Sequence, residues 1–354
     1  MKLSFYKILS ILFNCQLFIL LIISSTSFSQ VEKQYKIGCI AFYNLENLFD
    51  TLDTDKINDT EFTPSGPKKW NSARYFEKLN NMADVISQIG SDLTKEPPAI
   101  IGVSEIENKE VLEDLVKCDK LIKYNYKIVH YHSPDRRGVD VALLYRPEYF
   151  KVTNSVSAKL KIAGMDDFLT RDQLVVSGKF NGEKMHFIVN HWPSRRGGEK
   201  RSRPLRNAAG DLSRSLIDSI LNTDAQAKII LMGDLNDDPV NSSLKEHLKA
   251  TDDSTLFSQG YLFNAMLPLY KKGIGSLAYK DSWNLFDQMV LTPAFIGSDK
   301  SSFKFYKAKV FNKNFLEQKD GRFKGYPFRT YVGNTYMGGY SDHFPVYIYL
   351  IKEL

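Results

Sequence analysis

Carboxylates, carboxamides and histidines recur in one setting along this chain: each falls at or near the end of an apolar, strand-like run. "CIAFYNLEN" holds Asn44, "AIIGVSEIEN" holds Glu105, and "HFIVNHW" holds Asn190 and His191. "KIILMGDLNDDP" holds Asp234 and Asn236, "NLFDQMVL" holds Asp287, and "GYSDHFPVYIYL" holds Asp342 and His343. Singly, each has a structural explanation. Asn44 or Glu105 can cap a turn, and Asp234 can start an Asx turn leading into a helix near 240. Asp287 resists that treatment, because a carboxylate inside an apolar strand is costly to bury unless it meets a metal or a cation. An imidazole beside polar partners is suited to proton transfer. Of the six histidines, His130, His132, His186 and His247 have no suggestive surroundings and read as surface or packing residues.

The elements that must position these groups are short β-type runs at 35–43, 99–103, 126–130, 139–145, 173–180, 185–190, 228–234, 286–291, 303–311 and 345–350. Several are almost continuously apolar, as strands covered on both faces are. Phe76, Leu79, Ala83, Ile86 and Ile89 mark one apolar helix face, Val111 to Val116 a second, and Leu205 to Leu221 a third. Polar segments at 50–69 and 312–340 are long enough to be loops over a site. Strands with interspersed helices and no linker predict one α/β domain from residue 31 to 354, with its chemistry on loops at strand ends.

At 43% hydrophobic and 25% charged, the 354 residues have the composition of a folded domain, which excludes an intrinsically disordered chain. Residues 1–30 differ: Lys2 and Lys7, an apolar stretch from Ile8 to Ile23, then "SSTSFSQ". That pattern predicts a secretory signal peptide cut near Ser29 or Gln30, with an uncleaved membrane anchor as the alternative. Its removal takes two lysines from a net charge of +6, leaving a mildly basic protein suited to an anionic partner. Only Cys39 and Cys118 would remain, and Cys39 reads as a buried free thiol.

Taken in order, "FYNLENLFD", "GVSEIEN", "RRGVDVALLYRP", "NHWPSRRGG", "MGDLNDDP", "FDQMVL" and "YSDHFPV" resemble the endonuclease/exonuclease/phosphatase superfamily, and in particular its deoxyribonuclease-like, exported bacterial members. The resemblance implies a four-layer α/β sandwich, two packed and mostly antiparallel sheets flanked by helices. It implies a divalent cation at Asn44, Glu105 and Asp342. Hard oxygen donors suit Mg²⁺, with Mn²⁺ or Ca²⁺ as alternatives. It implies that Asp234 and Asn236 orient water and phosphate, that His343 pairs with Asp287, and that His191 protonates the leaving oxygen. By the same resemblance Asp140 in "GVDVALLY" is the acid that orients His191. The reaction implied is in-line attack of water on phosphorus, with Asp234 or His343 taking the proton.

The superfamily's shared centre leaves the substrate open. After His191 comes "PSRRGGEKRSRPLRNAA". Its Arg195, Arg196 and Arg201, with Asn190 before them, are expected to bind substrate phosphate at glycines and a helix start. A nuclease acting on DNA or RNA is the first expectation. A phosphomonoesterase or a phospholipid phosphodiesterase is the second, with aromatic residues of 322–340 available for a lipid surface. A non-catalytic binding module is the third. No obligate protein partner is implied, and a monomer is expected.

Overall fold

The computed structural model describes residues 33–354 apart from residue 56, so the expected signal segment lies outside the described residues. Two mixed sheets carry the fold. The first runs in the order β14-β17-β1-β2-β4-β3, with β1 Tyr35–Leu48, β2 Ile100–Ile106, β3 Lys127–His130, β4 Asp140–Tyr145, β14 Lys304–Val310 and β17 Val346–Glu353. The second runs β5-β6-β7-β8-β13-β10-β9. Its strands are β5 Phe150–Ala158, β6 Gln173–Phe180, β7 Glu183–His191, β8 Lys228–Asp234, β9 Ala250–Thr251, β10 Leu262–Asn264 and β13 Asp287–Leu291. Most pairings are antiparallel; β1 with β2, β7 with β8 and β9 with β10 are parallel. Two small hairpins, β11 Leu277–Tyr279 with β12 Ser282–Asn284 and β15 Tyr331–Val332 with β16 Thr335–Tyr336, lie in the connections.

Strand periodicity sorts the apolar residues into three cores. Ile40 and Phe42 of β1, Phe187 and Val189 of β7, Ile230 and Met232 of β8, and Met289 and Leu291 of β13 fill the space between the sheets. Their alternates face outward. Cys39, Ala41 and Tyr43 meet α1 (Ser72–Gln88) and α2 (Lys109–Lys117), while Ile188, Ile229, Leu231 and Val290 meet α3 (Glu199–Leu221). Helix, sheet, sheet, helix is the four-layer sandwich expected, and coverage on both faces explains the continuous apolar runs. The sheets approach closely where Gly102 faces Met232. A Cβ there would lie 2.6 Å from the Met232 Sδ.

All three helices appear, α3 beginning six residues earlier than its apolar stripe suggested. The edge strand β5 was not legible: its residues are mostly exposed or half-buried, so it shows no apolar run. Near 240 there is a short π-type turn, Ser243–His247, in place of a helix. Cys39 is buried with a free thiol, which burial pushes well above its ordinary pKa. Among the described residues no helix is long and apolar enough to cross a membrane.

Candidate active site

The sandwich-facing parity of each strand, continued to its end, delivers the polar residues to one cleft. On β7 the inward series Phe187, Val189 arrives at His191. On β8 the series Ile230, Met232 arrives at Asp234, and on β13 Met289 precedes back to Asp287. Register then aligns them across neighbouring strands: His191 pairs with Asp234 and Asp234 with Asp287. From the other sheet, the inward series Ile40, Phe42 arrives at Asn44. Beyond it the β1–β2 pairing is irregular, and Glu46, Asn47 and Glu105 adopt left-handed backbone with φ of 46°, 51° and 58°. These departures turn Glu46 and Glu105 out of the strict alternation.

Asp234 Oδ2 is the meeting point. Asn44 donates Nδ2 to it at 3.1 Å, and His191 Nε2 and His343 Nε2 stand 3.7 and 3.8 Å away. Asn236, with φ 52°, donates its backbone N–H to Asp234 Oδ1 at 2.9 Å and its amide to the Trp192 carbonyl. His343 Nδ1 donates to Asp287 Oδ2 at 2.7 Å, and the Ser276 hydroxyl donates to the same oxygen. Burial alone would lower the His343 pKa, but Asp287 and Asp234 outweigh it and hold the imidazole charged, well above its usual range. His191 goes the other way. Burial, reinforced by Arg171 and Arg137, pushes it well below its ordinary value, and its Nδ1 has no partner among the described residues. Asp234 is raised to about 7, chiefly by burial.

A second group of charges adjoins this one. Glu46, 7% exposed, is raised to about 7 by burial and by Asp342. It accepts from the Thr330 backbone N–H at 2.7 Å and lies 3.7 Å from the buried Lys78 Nζ and 3.6 Å from Arg329 Nε. Arg329 is hydrogen-bonded to Asp342. Glu105 accepts from the Asn47 N–H at 3.1 Å, and Arg137 and His191 lie 3.8 and 3.7 Å from its other oxygen. Glu46, Asp342, Arg329, Lys68 and the aromatic rings of Phe62, Trp70 and Tyr331 line a cavity of about 230 Å³. Asn44, Glu46, Glu105 and Asp342 offer oxygen donors only, and burial together with Asp342 raises Glu46 to about 7. That chemistry fits a hard divalent ion. Glu46 was missed in the sequence, although a charge in a buried apolar strand, two residues after Asn44, was its signal.

The structure corrects three placements. Asp140 does not reach His191. Val141 and Leu143 of β4 face the sandwich, so Asp140 shares the outward parity of Ala142 and is bound instead by His130 and His132. Asn190 also points outward, beneath α3. It is fully buried, its Oδ1 accepting from Trp192 Nε1 at 3.1 Å and from Ser213, so it cannot touch a phosphate in the cleft. Arg195 is committed internally to the Asn236 carbonyl, Asp237 and Asn241, and stacks 4.3 Å from the Phe286 ring. Arg196 and Arg201 lie exposed on the turn and first helical residues that follow.

The Endonuclease/Exonuclease/phosphatase family matches residues 39–352, and the chain belongs to that family, whose members are metal-dependent phosphoester hydrolases. The fold is similar to that of truncated TDP2 from Caenorhabditis elegans (16% identity, 89% of this chain and 97% of that one, TM-score 0.53). It is also similar to a mannosyl-6-phosphatase from Bacteroides thetaiotaomicron VPI-5482 (18%, 88% and 99%, 0.52). A third similar structure is D. rerio TDP2 complexed with single strand DNA product (15%, 89% and 99%, 0.50). No curated protein matches the sequence.

Proposed function

We propose that this hydrolase is an exported, Mg²⁺-dependent nuclease that cleaves phosphodiester bonds of DNA or RNA. The observation that carries the reading is the convergence of Asn44, His191 and His343 on one oxygen of Asp234. Asp234, raised to about 7, is poised to accept the proton of an attacking water. His343, kept charged by Asp287, faces the phosphate oxygens and is the group able to give a proton to the leaving oxygen. His191, held well below its ordinary pKa by burial and by Arg171, is neutral and does not suit the donor's part expected of it. Asn236 orients the phosphate. Asn44, Glu46, Glu105 and Asp342 would hold Mg²⁺, which supplies offsetting charge for the phosphoryl oxygens. Positioning and charge stabilisation are the main requirements of phosphoryl transfer, and these residues provide both.

A strand with accessible bases is favoured by Trp283. It is 41% exposed and stacks on Phe344, the residue after His343, with ring centroids 6.0 Å apart at 18°. Exposed aromatic faces beside a phosphate site suit stacking on unpaired bases. The single-stranded DNA product in the D. rerio TDP2 structure supports the same class of substrate. A second reading, a phosphomonoesterase, draws on the 230 Å³ cavity beside Glu46 and Arg329, room for one compact head group.

The test is hydrolysis by the purified protein with Mg²⁺ of single-stranded DNA, plasmid DNA, RNA, sphingomyelin and a sugar phosphate. His343→Ala and chelator controls accompany each. Cleavage of the polynucleotides alone, abolished by both controls, is expected. Turnover of the sugar phosphate or lipid without nucleic acid cleavage sinks the nuclease reading.

A further inference from the structure

His130, His132 and Asp140 take no part in the cleft, yet they converge on each other. His130 lies opposite Ala142 on the outward face of the sheet, the face that Asp140 shares. A single oxygen, Asp140 Oδ2, meets His130 Nε2 at 2.9 Å and His132 Nδ1 at 3.1 Å. The second oxygen is fixed by the Ser133 backbone N–H at 2.8 Å. The imidazoles stand edge to face with centroids 4.9 Å apart, and the three candidate donor atoms all lie within 4.8 Å of one another. The His130 and Asp140 side chains are each 3% exposed, whereas His132 is 73% exposed.

We propose that His130, His132 and Asp140 form a second metal site, selective for a borderline transition ion such as Zn²⁺, which staples the loop between residues 132 and 140. Two imidazole nitrogens and a carboxylate oxygen favour Zn²⁺ over Mg²⁺, which prefers oxygen donors throughout. Two donors each about 2.1 Å from Zn²⁺ are separated by roughly 3.0–3.4 Å. The observed nitrogen–oxygen separations are those of hydrogen bonds, so an ion replaces both contacts and displaces the imidazole protons that make them. Buried His130 and Asp140 are already oriented, and exposed His132 closes the set while leaving a position for water.

The loop so closed serves the cleft. Asp135 binds Arg171 Nη1 at 3.1 Å, and Arg171 Nε donates to the His191 carbonyl at 3.0 Å. Arg137 projects from the same loop to 3.8 Å from Glu105. A metal at its base restrains both ends of a short segment and therefore the placement of Arg137 at the cleft mouth.

The experiment uses purified protein stripped with chelator, loaded with Zn²⁺ or Co²⁺ and desalted. Metal content and the visible Co²⁺ spectrum are then measured for the wild type, His132→Ala, Asp140→Asn and Glu105→Gln. His132→Ala changes an exposed side chain and keeps the fold testable. The wild type is expected to retain about one equivalent more Zn²⁺ than His132→Ala or Asp140→Asn, with Co²⁺ bands that both variants lose. Glu105→Gln should keep that equivalent, separating it from the cleft. Equal Zn²⁺ content and an unchanged Co²⁺ spectrum in His132→Ala overturn the site, as does a wild type that retains no such equivalent.

Discussion

Asp287 determines the charge on His343, and the two opposing influences on that imidazole make it a sharp test. Burial disfavours the cation, while the carboxylate 2.7 Å from Nδ1 favours it and prevails. In Asp287→Asn only Asp234 and Asp342 remain to oppose burial, so His343 loses its proton at lower pH and the high-pH limb of activity moves downward. kcat should fall by about 10²–10⁴-fold with little change in KM. NMR titration of the His343 ring together with the pH–rate profile checks this, and an unmoved ring pKa would refute the assignment. The pairing of Asp287 with His343 was legible only through resemblance, since 56 residues separate them. Asp140 was misplaced because sequence does not say which parity of "VDVALLY" faces inward. Its outward parity became visible only from the packing of Val141 and Leu143.

Strands and their connections supply two further expectations. A Cβ on Gly233 would sit 2.3 Å from the Asn190 carbonyl oxygen, a backbone atom with nowhere to go. Gly233→Ala should therefore force β7 and β8 apart, lower stability by on the order of 3 kcal/mol and separate His191 from Asp234. Calorimetry and single-turnover rates read the two effects, and wild-type values for both would sink the argument. Arg195 is a clamp between the β7 and β8 connections, so Arg195→Met should lower Tm while leaving the salt dependence of substrate binding unchanged. A flatter salt slope would instead return Arg195 to the phosphate. The sequence showed that "PSRRGGEKRSRPLRNAA" was basic and near His191. It did not show that Asp237, three residues past Asp234, already claims two of its arginines, Arg195 and Arg206.

For the molecule as a whole, the cleft is a reservoir of electrostatic strain that depends on pH. Glu46 and Asp234 are each raised to about 7. Groups raised in the folded state contribute stability below their unfolded values, and that contribution is lost as pH rises through about 7. Without divalent ions, stability should decline between pH 5 and 8. Mg²⁺ should restore it, raising Tm more at pH 8 than at pH 5.5. At a hundredfold excess over Kd the gain is about 2.7 kcal/mol. Thermal melts at both pH values, with Mg²⁺ and with chelator, measure the difference, and an equal Mg²⁺ effect at both would contradict it. The layered fold was legible because doubly covered strands leave continuous apolar runs, while β5 and the small hairpins left none.

The two sheets contribute unequal and interleaved shares of the site. Asn44 and Glu105 arrive early in the chain, His191, Asp234 and Asp287 in its middle, and Asp342 with His343 just ahead of β17, which sits between β14 and β1. A chain cut before Asp342 would therefore lack both an interior strand of the first sheet and the charged imidazole, so folding and activity would be lost together.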